Sequence, residues 1–214
     1  MIPLKTKEQI LKIKEANDVV HTVLDVVEAH IKPGITTKYL DDIAEKTVIK
    51  YGAVPTFKSY RGFPASICIS VNEEVVHGIP SDKCIKDGDV VSIDFGATLD
   101  GFVGDAARTI IVEGKASQQI IALNNNTKIG LKAGIEKMCI GNRLHDISAA
   151  IEAVAKANKY GNVKAFCGHG VGFNLHEEPK VLNYIDKLNT NIHLQAGMVL
   201  ALEPMFTLGT SDVK

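Results

Sequence analysis

The chain predicts a mixed α/β (α+β) fold built from two related αβ halves, and three observations carry that expectation. Residues 90–111 read VVSIDFGATLDGFVGDAARTII, two β-rich apolar runs joined at Asp100-Gly101, a dipeptide suited to a two-residue hairpin turn. Four other segments space their apolar residues as helices do. Finally, landmarks in the first half return in the second at a nearly constant offset.

Taken in order, Thr6 with Gln9 three places on is a plausible helix cap. It opens a segment carrying Ile10, Ile13, Val20, Val23, Leu24 and Val27, which Pro33-Gly34 stops. A second helix is predicted from Thr37 to Lys50, with Leu40, Ile43, Ala44 and Val48 inward and Gly52 ending it. Short strands broken by Gly and Pro follow, then the hairpin. Ser117 to Ile135 and Leu144 to Tyr160 read as two more helices, and from Val163 the chain returns to strands and loops.

The repeat is visible in three places. Lys32-Pro33-Gly34, a helix, then Lys50-Tyr51-Gly52 is answered by Ile140-Gly141, a helix, then Lys159-Tyr160-Gly161. Lys86 to Asp94 (KDGDVVSID) is echoed by Gln195 to Glu203 (QAGMVLALE). Gly34 to Gly141 is an offset of 107 and Asp94 to Glu203 one of 109. The expected halves are residues 1–112 and 113–214 of a single domain, related by a pseudo-two-fold, with Asp94 and Glu203 as mates.

Composition excludes several classes. With 45% hydrophobic and 23% charged residues the chain is ordinary for a globular protein. A net charge of −1 gives no reason to expect nucleic acid or an anionic membrane as partner. No apolar run approaches transmembrane length, and the N-terminus carries no apolar signal core. Cys68, Cys84, Cys139 and Cys167 show no CxxC spacing, which points to reduced thiols and a cytoplasmic location.

The hairpin carries the first chemical clue. If Asp100-Gly101 forms the loop, paired positions sum to 201, so Asp94 faces Ala107 and Asp105 lies two places along on the same face. Diagonal neighbours of this kind are roughly 7–8 Å apart at the backbone, and their carboxylates repel unless a positive group sits between them. Divalent cations about 3.5–4 Å apart fit that space. The alternative is that Asp94 ends a strand and Asp105 begins a turn. Between Asp94 and Glu203 lies FCGHGVG, followed by HEEP. Glycines on both sides of His169 let the backbone approach a bound group and leave the imidazole as a nitrogen ligand. His77, in VHGIP, also has small neighbours, whereas His21, His30, His145 and His193 read as ordinary surface or core residues.

Together the segments FPASICISVNEEVVHGIP, KDGDVVSIDFGATLDGFVGDAARTI, CGHGVGFNLHEEP and LALEPM resemble bacterial type I methionine aminopeptidases, in order and over nearly the whole chain. The resemblance implies the pita-bread fold, with two divalent metal ions (Co, Mn, Fe or Zn) on its internal axis. It implies Asp94, Asp105, His169 and Glu203 as metal ligands, with Glu203 also carrying a proton. His77 matches the histidine beside the scissile peptide, and His176 the one that polarises its carbonyl. Phe57, Tyr60, Phe63, Cys68 and Leu175 match the positions lining the methionine side-chain pocket, where Phe57 and Leu175 stand in place of the commoner cysteine and phenylalanine. The implied partners are nascent polypeptide N-termini, including those at the ribosome, with the full-length protein a monomer.

One departure concerns the end of the chain. The family has a fifth ligand, a glutamate on a later strand, and the repeat places a partner for Asp105 at 214, where the chain stops. The expectation is therefore a catalytic domain missing its last strand or strands, with metal binding and turnover impaired. Two rivals remain: a pita-bread binding protein without catalysis, and the proline-directed peptidases of the same fold. The latter carry a large extra N-terminal domain, whereas only about 85 residues precede this hairpin.

Overall fold

The computed structural model describes residues 2–114, 116–186, 188 and 191–214. It divides into two compact units. One comprises Lys7–Ala116 with Gly172–Leu175; the other comprises the segment ending at Thr6, Ser117–Val171 and His176–Lys214.

The Lys7–Ala116 unit begins with α1 (Lys7–His30) and α2 (Thr37–Lys50). The first starts one residue after Thr6, and the second has the predicted bounds. Thr36 caps α2 by accepting a hydrogen bond from the Tyr39 N–H at 3.2 Å, satisfying one donor that the first turn leaves open. Strands β1 (Val54–Pro55) and β2 (Cys68–Val71) pair antiparallel with β3 (Val90–Leu99), whose other neighbour is β4 (Phe102–Ile111). Asp100 and Gly101 form the two-residue loop with φ of 50° and 81°, the left-handed pair that matches strand twist in a hairpin. Asp94 pairs with Ala107 and Gly96 with Asp105, which is the predicted register. Val91, Ile93, Phe95 and Ala97 point into a core shared with Val20, Leu24 and Leu40, leaving Asp94 on the opposite face.

The other unit packs α3 (Gln118–Ile135) against α4 (Leu144–Ala157). Ser117 caps α3, accepting from the Ile120 N–H at 3.4 Å. The second helix stops three residues short of the predicted Tyr160. Asn158 turns its side-chain amide back to the Val154 carbonyl at 2.9 Å, and Lys159 has φ 57°, so local bonding ends the alanine-rich run. Strand β5 (Gly161–Asn162) pairs with β9 (Phe206–Thr207), and β6 (Gly168–Gly170) lies between β7 (Glu177–Val181) and β8 (Leu200–Ala201). Ile147, Ile151, Val181 and Phe206 centre its core.

The same local device occurs in each unit. Asp89 donates its N–H to Lys86 O and Met198 to Gln195 O, both at 3.2 Å, while Gly88 and Gly197 adopt φ of 80° and 92°. Thr36 bridges Cys84, and Arg143 bridges His193. These are the positions that the repeated sequence aligns.

Candidate metal centre

In the hairpin unit, Cys68 of β2 pairs with Asp94, which pairs with Ala107. Partners in a ladder share a face, so Cys68, Asp94 and Asp105 present their side chains on the same side of the sheet. The buried Cys68 thiol responds to this. Burial first, then the charges of Asp94 and Asp105, push its pKa far above the usual thiol range, so it stays a protonated, polarisable apolar group.

Two residues that motif reading did not single out hold these parts in place. Asn17 of α1 accepts a hydrogen bond from the Asp105 N–H at 3.1 Å. This requires close contact between α1 and β4, and Gly104 permits it: a Cβ there would lie 2.6 Å from Asn17 N. The half-buried Asp41 of α2 accepts from the Ser66 and Ile67 N–H groups at 2.8 and 3.1 Å, immediately before Cys68. Burial raises the Asp41 pKa despite those two bonds. Each is an ordinary polar residue in a helical pattern, with no local signal to mark it.

The expected pocket residues in this unit are Phe57, Tyr60, Phe63, Cys68 and Leu175. Phe57, Cys68 and Leu175 are buried; Tyr60 and Phe63 are half-buried. Phe57 packs against Phe95 with ring centroids 6.5 Å apart, and Gly96 makes room, since a Cβ there would meet the Phe57 ring at 2.7 Å. The 57–63 loop is tied across itself by Ser59 N–H to Phe63 O at 2.8 Å and Phe63 N–H to Tyr60 O at 2.9 Å. Ser59 and Arg61 hold φ of 66° and 49°. His77 is exposed with φ 60°, next to Gly78, whose N–H donates to Ser70 Oγ at 3.1 Å. Left-handed non-glycine residues cost energy and concentrate at functional sites.

In the other unit, His169 on β6 is buried and flanked by two glycines that cannot be replaced. A Cβ at Gly168 would lie 2.2 Å from Ala201 O, and one at Gly170 2.4 Å from Glu178 O. Nδ1 of His169 lies 2.9 Å from Gly170 O, so it carries the proton and donates. Nε2, the other ring nitrogen, faces Glu203 Oε1 at 3.1 Å. A carbonyl that fixes the tautomer of an imidazole whose other nitrogen faces a carboxylate is the pattern of a histidine prepared as a metal ligand.

His176 is exposed, its ring centroid 4.3 Å from that of His169. Glu177 beside it forms a buried ion pair with Lys5, whose N–H also donates to Gly197 O at 2.8 Å. The N-terminal segment thus anchors the start of β7, a role that reading of the sequence missed. Glu203 lies two residues beyond β8 rather than on a strand, as the repeat suggested; the regular ladder here is only Leu200–Ala201.

These features meet a sequence match. The family model described as "Metallopeptidase family M24" matches residues 11–213. The chain belongs to metallopeptidase family M24. Among its M24 relatives, a methionine aminopeptidase of Borreliella burgdorferi is 50% identical over 205 residues, covering 96% of this chain and 81% of that protein. Methionine aminopeptidase 1 of Bacillus subtilis is 44% identical over 214 residues, covering 100% and 86%. A solved methionine aminopeptidase structure from Thermotoga maritima superposes with a TM-score of 0.95 at 39% identity, covering 100% of this chain and 86% of that one. Prolidase from Pyrococcus furiosus gives 0.84 at 26% identity, covering 97% and 58%. The fold is therefore the M24 pita-bread fold, and the motif-level resemblance to bacterial type I methionine aminopeptidases is borne out across the chain.

Proposed function

We propose that this chain is a metal-dependent aminopeptidase that removes methionine from the N-termini of nascent proteins and peptides. The observation that carries the reading is the prepared imidazole: Nδ1 of His169 is committed to Gly170 O while Nε2 faces Glu203 at 3.1 Å. Relatives named methionine aminopeptidase cover nearly the whole chain at 44–50% identity, whereas the prolidase likeness is 26% and spans 58% of that protein. That contrast favours methionine over a proline-directed reading.

The donor set is three carboxylates and one imidazole, which suits divalent Mn, Fe, Co or Zn. We assign Asp94, Asp105, His169 and Glu203 as the ligands of two such cations. When bound, the cations supply Lewis-acid polarisation and a nucleophilic water at neutral pH. The chain's own groups do the rest. Glu203 accepts the proton of the attacking water and passes it to the leaving amine. His176 donates a hydrogen bond to the carbonyl oxygen as negative charge develops there, and a donor so placed contributes roughly 2.7–4 kcal/mol. His77 binds beside the scissile peptide. Phe57, Tyr60, Phe63, Cys68 and Leu175 form an apolar pocket whose protonated thiol suits an unbranched thioether.

Among the described residues no helix is long and apolar enough to cross a membrane. We place the activity in the cytoplasm, on N-termini emerging at the ribosome, with the full-length protein a monomer. The deciding experiment is release of methionine from a methionyl tripeptide by the metal-loaded protein and by Asp94→Asn. Metal-dependent release that disappears in the variant, with helix content unchanged, supports the reading. Equal turnover in both overturns the ligand assignment.

A further inference from the structure

Glu203 stands in a stretch, 202–205, that belongs to no strand, yet the proposed chemistry needs its carboxylate held within about half an ångström. The backbone there is instead gripped by a buried asparagine. Asn183 is fully buried, and its Nδ2 donates to Glu203 O at 2.7 Å. The segment bearing Asn183 is itself fastened twice: Asn162 Nδ2 donates to Asn183 O at 2.6 Å, and Ser148 Oγ of α4 donates to Leu182 O at 2.6 Å.

These amides are poor choices for stability. Oδ1 of Asn162 and Oδ1 of Asn183 are both cut off from solvent and have no hydrogen-bond partner among the described residues. A buried acceptor without a partner is destabilising, and an apolar side chain of similar size avoids that cost. What each amide offers that leucine cannot is its N–H donor, and each donor is spent on a backbone carbonyl that leads to Glu203. The alternative explanation, ordinary core packing, does not call for two polar side chains with idle oxygens.

We propose that Asn183 is a positioning residue for Glu203, with Asn162 supporting it, and that this two-step relay sets metal affinity. The inference rests on the ligand assignment made above. It acts through the backbone: the Asn183 amide fixes the Glu203 carbonyl, which fixes the direction in which the carboxylate leaves the chain toward His169 Nε2.

The test is cobalt(II) titration of the 214-residue chain, following the visible absorption of the bound ion and calorimetric affinity. Wild type, Asn183→Leu, Glu203→Gln and the double variant are compared. Removing a group that orients a ligand typically costs 10–100-fold in metal affinity. The expectation is therefore a loss of about that size for Asn183→Leu, with an altered cobalt spectrum and unchanged circular dichroism. In the Glu203→Gln background the same substitution should cost little more, because the group it orients is already altered. Cobalt affinity unchanged in Asn183→Leu while Glu203→Gln loses metal overturns the relay and leaves the ligand assignment standing. A loss of equal size in both backgrounds also overturns it, since the effect then does not pass through Glu203. Unchanged affinity in Glu203→Gln overturns the ligand assignment and the relay with it. Should Asn183→Leu fail to fold, Asn183→Asp keeps the side chain's size without its donor and carries the same expectation.

Discussion

The contact between α1 and β4 gives the most direct test of how the fold sets the hairpin carboxylates. A Cβ added at Gly104 would lie 2.6 Å from Asn17 N, 2.7 Å from Ala16 C and 2.8 Å from Asn17 Cα. All three are backbone atoms of a helix, so no side chain can swing aside. Ordinary separations are about 3.5 Å, which means helix and strand must part by roughly 0.8 Å. Overpacking of this kind costs about 1–3 kcal/mol. Asn17 also accepts the Asp105 N–H, and losing that bond adds about 1 kcal/mol. The expected total for Gly104→Ala is therefore about 2–4 kcal/mol, a fall in Tm of about 4–16 °C for a chain of this length. The control is Gly101→Ala, at the hairpin tip, where nothing lies within 4 Å and only the φ of 81° resists a side chain. That strain is worth about 1–2 kcal/mol. Thermal unfolding followed by circular dichroism, with metal content measured alongside, separates the two: Gly104→Ala should lose more stability and also metal, because Asp105 moves with the strand. Equal small losses in both variants would refute the argument that α1 fixes Asp105.

Three other outcomes follow from the site. His169→Ala should lose metal and activity together, whereas His176→Ala should keep most of its metal and lose about 10²–10³ in kcat; equal metal loss in both contradicts the assigned roles. The buried Cys68 thiol, pushed to a high pKa, should resist a thiol reagent in the native protein while the exposed Cys84 and Cys139 react at once, as mass spectrometry of labelled peptides can show. Burial raises the pKa of Asp41, so the folded state holds that proton more firmly than the unfolded one. Its contribution is present below the unfolded pKa, near 3.8, and is lost as pH rises through the raised folded value. Asp41→Asn keeps an acceptor for Ser66 and Ile67, so its Tm relative to wild type should rise across that window. A constant difference from pH 3.5 to pH 7 argues against a raised pKa.

The hairpin was legible because its information is local. Asp100-Gly101 dictates the turn, the turn dictates the register, and the register puts Asp94 and Asp105 on one face. Helix α2 was equally plain, from the helical spacing of Leu40, Ile43, Ala44 and Val48 and from Gly52 after it. His169 was legible because its neighbours must be glycine, a requirement that the 2.2 and 2.4 Å clearances explain. The supports of the site were not legible. Asn17, Asp41, Lys5 and Asn183 act over separations of 20 to 172 residues, and each looks like a routine polar residue in its own segment. A polar residue that spends its hydrogen bond on a distant backbone has no periodicity to betray it.

The two acids that the repeat aligns are held by different physical means. Asp94 sits in the middle of a ten-residue strand with partners on both sides, Cys68 and Ala107, so ladder hydrogen bonds on either edge fix its backbone. Glu203 follows a strand of two residues whose partner is β6, at Ala201 opposite His169. Beyond Ala201 the ladder stops, and the grip passes to single bonds: the Asn183 side chain on Glu203 O, then the backbone Val163 N–H on Met205 O at 3.0 Å, before β9 resumes regular pairing. A ladder distributes its hold over many bonds, so one substitution near Asp94 is absorbed by its neighbours. A relay of single bonds has no such reserve. It also leaves Glu203 free of the pleat that would otherwise dictate where its side chain points, and lets the carboxylate meet His169 Nε2 at 3.1 Å. Equivalent positions in a repeated sequence thus reach comparable chemistry through unequal supports, and the less redundant support is the one more exposed to single substitutions.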